Sequence, residues 1–257
     1  MASNAASTLS APTGSSAPST ATVDGDRHLL RRGGRAGLAG SAAMLGAFVV
    51  VGVVAPPSVS EVESLTTYPD IATGRILENS LYLAALVLWA VQFVALGRAL
   101  RDRAIGRPPL SPWIAVFGLV PMAAGALIHT STSLLSDRYT AADATPADRA
   151  MIEAGWAAAQ SMFDAFLITG AVIVPMAVVA LSPVLVRSPE VGPVFGRIVL
   201  GLGLAGSIGG MVAVVDPTSV PGVAGSILTM LVAQTLIGWR LVRVEREARP
   251  RSPRTDG

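Results

Sequence analysis

Cysteine is absent from the 257-residue chain, and so is lysine. Without thiols there are no disulfides, no iron–sulfur clusters, no thiolate-ligated haem and no Cys nucleophile. Without lysine, all 19 basic residues are arginine. Histidine occurs only as His28 and His129, and only His129 lies in an apolar segment, which argues against a bis-His haem held within one chain. Charge is scarce as well: 14% of residues, against about 25% in soluble domains. There is no H-E-x-x-H pattern, and no nucleophile elbow to make a hydrolase of Ser133 or Ser161 with His129. No basic region followed at once by an apolar core opens the chain, so residue 1 does not begin a normal signal peptide.

What remains is apolar. Hydrophobic residues make up 51% and mean hydropathy is +0.58, the composition of a membrane protein. Six runs are long enough to cross a bilayer: Ala36–Ala55, Ile76–Gly97, Trp113–Leu135, Trp156–Leu181, Ile198–Val215 and Gly222–Trp239. The expected fold is all-α, a polytopic integral membrane helical bundle of six transmembrane helices, spanning residues 34–243. No soluble domain is left over. Residues 1–33, rich in Ser, Ala, Thr and Pro at their start, read as a disordered tail, and 244–257 as a basic one. Span 1 reads as a retained anchor. Pro121 interrupts span 3, which is tolerated where neighbouring helices satisfy the freed carbonyl. Pro56 to Arg75 and Ser136 to Gly155 read as polar loops. Within the second, Thr145-Pro146-Ala147-Asp148 has the form of an N-cap, a proline at N1 and an acid at N3. The span 4 helix is therefore expected to begin near Pro146, outside the membrane, with Trp156 marking the interface.

The arginines orient the chain. Sixteen of 19 fall on the side of the two termini, and only Arg75, Arg138 and Arg149 on the other. This places both termini in the cytoplasm, in a cytoplasmic (inner) membrane. The same bias accounts for a pI near 9.6 without a nucleic-acid partner. The run Arg240 to Arg254 is expected to be a topogenic anchor against lipid.

Polar residues inside spans carry the functional signal. Asp164 sits within an apolar run, where a carboxylate costs roughly 2.5–3.5 kcal/mol on insertion scales. Gln160 lies one turn before it. In span 2, Glu78, Tyr82, Trp89 and Gln92 share a helical face. In span 3, Gly118, Met122, Gly125, His129 and Ser133 form a small-residue seam. Glu78, His129, Asp164 and Asp216 all fall in the outer half, and the inner half reads as nearly pure hydrocarbon. Antiparallel neighbours could join Glu78, His129 and Asp164. Such a group is either a proton-titratable or cation site opening outward, or a buried ion-pair cluster that fixes helix register. Two carboxylates and a histidine could also ligate Zn²⁺, but no zinc motif accompanies them. No catalytic residue, metal or cofactor is expected. Gly201-x-Gly203-x-x-Gly206 matches a dinucleotide pattern only by letters, with no strand before it. Gly206 and Gly210 instead make a small-xxx-small surface for packing within the bundle or for dimerisation.

Gly34-Arg35-Ala36-Gly37-Leu38 opens span 1 and Arg75-Ile76-Leu77-Glu78 opens span 2. A basic hairpin, a long acidic outer loop before span 4 and a short turn between spans 5 and 6 follow. From Gly34 to Arg243 this resembles the uncharacterised six-span bacterial membrane family catalogued as domain of unknown function 4386. The resemblance implies a six-helix inner-membrane protein and supplies no activity. The leading expectation is a small permease, ion- or proton-coupled carrier or sensory membrane module using the Glu/His/Asp cluster, with lipid as its surroundings and an unknown small ligand. A carrier of only six spans, with no evident inverted repeat, could need to be a homodimer. The alternative is a structural or accessory subunit that binds a membrane partner through its Gly-rich faces. A membrane enzyme is the least supported class.

Overall fold

The computed structural model describes residues 20–54, 61–101, 109–189 and 191–247. Residues 1–19, Arg103 and Arg107 of the basic loop, and the tail beyond Glu247 lie outside them. The described residues form six helices and no strand: α1 (Thr20–Val54), α2 (Glu61–Ala99), α3 (Ser111–Tyr139), α4 (Pro146–Arg187), α5 (Pro193–Val215) and α6 (Val220–Glu247). They stand in a ring in chain order. Each packs on the next, α6 closes on α1, and α4 leans inward to touch α2 and α6. The end of α1, the start of α2, and the α3–α4 and α5–α6 turns lie at one end of the ring (the hairpin end), and α1 begins and α6 ends at the other.

The ring is filled. Met44, Trp89, Phe93, Met122, Leu181 and Met230 are almost wholly buried at its centre. Its outside is apolar too, with Phe117, Val120, Ile208 and Leu228 more than half exposed. A protein with apolar surface on both sides of its helices suits a bilayer as its solvent, and all six helices are long and apolar enough to cross one. Small residues bring the helices together. Gly33 and Gly40 of α1 meet α2 at Ala95 and Trp89, and Gly34 meets Gly238 of α6. Gly206 and Gly210 are buried in the same way, against Pro175 and Ala171 of α4. They hold the bundle together and offer no surface to a partner.

The helices outrun the apolar runs, and three expectations are corrected. Residues 20–33 are not a disordered tail but the first turns of α1, because no proline stops the helix once the span has nucleated it. The expected loop from Pro56 to Arg75 is helical from Glu61. Leu65, Tyr68 and Ala72, spaced three and four apart, give that stretch an apolar stripe. Trp156 is not an interface anchor. It is 4% exposed, with its ring edge-on to Tyr68 at 5.7 Å. The start of α4, by contrast, is where the capping pattern places it: Thr145 Oγ1 accepts from Asp148 N, and Asp148 Oδ2 accepts from Thr145 N.

At 1.5 Å per residue the 42 residues of α4 span about 63 Å, twice a hydrocarbon core of about 30 Å. The 23 residues of α5 span about 35 Å and fit it. Gly210 sits against Ala171, so the end of α5 falls level with about residue 166 of α4. The first turns of α2, the last of α3 and the first twenty or so residues of α4 therefore project beyond the α5–α6 turn, by up to about 30 Å. They form an annex built on Leu65, Tyr68 and Trp156, with Leu135, Tyr139 and Ile152 around them.

Two prolines inside helices are answered by serines of a neighbouring helix. Pro69 has no N–H for the carbonyl of Leu65, and Ser136 Oγ of α3 donates to that oxygen at 2.7 Å. Pro175 likewise frees the carbonyl of Ala171, to which Ser226 Oγ of α6 donates at 2.7 Å. Pro121, the interruption visible in span 3, has no such partner among the described residues. Ser226→Ala should destabilise the bundle by about 1–3 kcal/mol, the cost of a buried orphan carbonyl. Adding Pro175→Ala, which returns the N–H, should recover most of that loss. Equal thermal unfolding midpoints for the single and double variants in nanodiscs would refute the pairing.

Candidate functional site

The face of α2 that meets α3 carries Tyr68, Arg75, Asn79 and Tyr82. The last three are spaced i, i+4, i+7, within about 60° of one another on the helix. Arg75 Nη1 donates to Glu78 Oε2 at 2.8 Å, a pair made within α2. His129 of α3 is 8% exposed, and its Nδ1 lies 3.3 Å from Asn79 Oδ1. An amide oxygen accepts, so it is the Nδ1–H tautomer of His129 that makes this hydrogen bond. On its other side His129 stacks on Phe163 of α4, with centroids 4.8 Å apart and rings 29° from parallel. Thr132 Oγ1 donates to the His129 carbonyl at 2.6 Å, turning its hydroxyl back onto α3. Arg75 lies within electrostatic reach of both Tyr68 and His129.

Several polar atoms along this seam are buried without a hydrogen bond: Arg75 Nε, Asn79 Nδ2 and Tyr82 Oη, with Tyr68 Oη further out beside Thr132. Buried polar groups are paired in nearly all native structures, and an unpaired one costs about 1–3 kcal/mol. Three of them lie on one helix face between Arg75 and Tyr82, and Gln92 Oε1 and both amide ends of Gln234 are unbonded in the same way deeper in the ring. Below Tyr82 the seam ends on the apolar fill of Trp89, Phe93 and Met122.

No family model matches the chain, and neither does any curated protein or solved structure. The site therefore stands on its own geometry.

That geometry divides the residues expected from the sequence. Tyr82, Glu78 and His129 do gather at the α2–α3 seam. Asp164 does not join them: it is exposed and has no hydrogen-bond or ion-pair partner among the described residues. The reason is angular. Phe163 uses the inward direction of α4 to stack on His129, and the next residue points about 100° away. Asp164 is also close to the level of the α5–α6 turn, not deep in the bundle. Gln160 is half-buried and outside the seam's hydrogen bonds. Asp216 is exposed at the turn itself, where its Oδ1 accepts from Thr218 N at 3.1 Å and Thr218 Oγ1 at 2.6 Å. It shapes a loop and belongs to no cluster. Among the described residues no three His, Cys, Asp or Glu side chains are grouped to hold a metal.

The half of the ring nearer the termini is not apolar throughout. Gln92 and Gln234 are fully buried there, with Gln92 Nε2 donating to the Gln234 carbonyl at 3.1 Å. Asn79 lies on the Arg75–Tyr82 face, but in the sequence a neutral amide is less conspicuous than the ionisable Glu78 beside it. Phe163 was hidden by Asp164 in the same way.

Asp164→Asn should leave stability within about 0.5 kcal/mol of the native chain. Asn79→Leu, which strips His129 of its partner, should cost about 1–3 kcal/mol. Thermal unfolding of both variants in one lipid decides the matter, and the reverse ranking would return Asp164 to the interior.

Proposed function

We propose that the protein is a small membrane permease, ion- or proton-coupled carrier or sensory module, which admits water and a small polar ligand into the α2–α3 seam from the outer face of the cytoplasmic membrane. The observation that carries this reading is the row of unbonded buried donors from Arg75 to Tyr82. The arginine distribution supports an inward placement of both termini, which turns the hairpin end and its annex outward. The apolar fill beneath the seam argues for a module that changes state, and against an open channel in this conformation. Membership of the uncharacterised six-span family that the chain resembles belongs to the same proposal and adds no activity to it.

A structural reading has one observation in its favour: the His129–Asn79 contact ties α3 to α2 and would fix their register. Solvent access separates the two. The chain has no cysteine, so single substitutions need no prior removal of thiols. In sealed cells or vesicles, Thr132→Cys should react with a membrane-impermeant methanethiosulfonate from the outside, more slowly than Met151→Cys on the exposed annex. Met122→Cys in the apolar fill should not react. If Thr132→Cys is as inert as Met122→Cys, the seam is sealed and the structural reading stands.

A further inference from the structure

Every unbonded buried atom between Arg75 and Tyr82 carries a hydrogen to give. Arg75 Nε and Asn79 Nδ2 are donors only, and the phenolic Tyr82 Oη donates as readily as it accepts. The acidic group at hand, Glu78, is already taken by Arg75 Nη1, and Asn79 Oδ1 is taken by His129. The unbonded buried atoms of the place can thus all donate. A cation would meet an arginine and find no free carboxylate, since Asp164 points elsewhere.

We propose, resting on the reading of the seam as a ligand site, that Arg75, Asn79 and Tyr82 bind an oxyanion, a carboxylate or phosphate group. Arg75 supplies the charge and its planar fork suits two oxygens at once. Asn79 is the anchoring donor, 5% exposed and held in place by His129. The bound group competes with Glu78 for Arg75. Glu78 is four residues from Tyr82 and one turn from Arg75, so it holds the arginine in the site while the site awaits its ligand. The seam lies close to the level of the α5–α6 turn, where both dissolved anions and lipid phosphates can reach it. The chemistry is common to the two sources.

The test uses the whole chain in phosphatidylcholine nanodiscs, with thermal unfolding followed by tryptophan fluorescence. Sodium acetate and sodium phosphate are titrated against sodium chloride at constant ionic strength, and tetramethylammonium chloride serves as the cation. Acetate or phosphate at ten times its dissociation constant should raise the midpoint by about 3–6 °C. Arg75→Gln should weaken the response at least tenfold. Asn79→Asp, a close isostere that puts a carboxylate in the site, should abolish it, and Arg138→Gln on the exposed annex should leave it intact. A shift on adding phosphatidylglycerol, absent with the free anions and lost in Arg75→Gln, assigns the site to a lipid phosphate and also supports the proposal. A shift with tetramethylammonium alone overturns it. No shift with any anion, while Thr132→Cys is labelled from outside, also overturns it and leaves a seam that holds only water. No shift and no labelling removes both the proposal and the reading beneath it.

Discussion

A carbonyl inside a bilayer has no water to turn to, and Pro175 frees one there, while Pro69 frees another where the annex covers α2. The fold depends on how these two oxygens are satisfied. Ser136 bonds the Leu65 carbonyl across the α2–α3 contact, and Ser226 bonds that of Ala171 across the ring from α6 to α4. Each bond needs the helices close, and small residues supply the closeness: Gly210 lets α5 lie on Ala171, and Gly209 approaches Ser226. At Pro175 the freed carbonyl and the glycine contacts thus occur at the same place. The annex hangs from the first of these bonds, and the inward lean of α4 is secured by the second.

That arrangement sets where chemistry can sit. With α4 in contact with both α2 and α6, and α2 prolonged past the α5–α6 turn, the polar face of α2 is covered by α3 and α4 and still ends outside the apolar slab. A carboxylate on the free side of α4, such as Asp164, remains exposed near the rim. A histidine on the covered side is desolvated and needs Asn79 and Phe163 as neighbours. The difference between these two residues, a single position round the helix from Phe163 to Asp164, separates an interior site from a surface.

The sequence made the helical class, the six spans and the α4 cap legible, because apolar run length and capping chemistry are local. It named His129, Glu78 and Tyr82, because a polar residue in an apolar run is conspicuous. It did not reveal the annex, since Leu65, Tyr68 and Ala72 are separated by polar residues and look like a loop until α3 and α4 cover them. It favoured charge over burial at two neighbouring pairs, taking Glu78 over Asn79 and Asp164 over Phe163. Facing direction depends on which neighbour a helix turns toward, and that is a property of the ring, not of any one run. The serines were illegible for the same reason: nothing local links Ser226 to Pro175, fifty-one positions earlier in the chain.

That separation along the chain has a consequence for how the protein is made. Helices leave the ribosome in order, and Ser136 follows Leu65 within one hairpin, so the break in α2 is closed almost as soon as α3 arrives. The carbonyl of Ala171 must wait through all of α5 until the final helix is in place. A nascent chain halted before α6 therefore carries an open polar wound in its fourth helix, a feature by which an unfinished copy differs physically from a finished one.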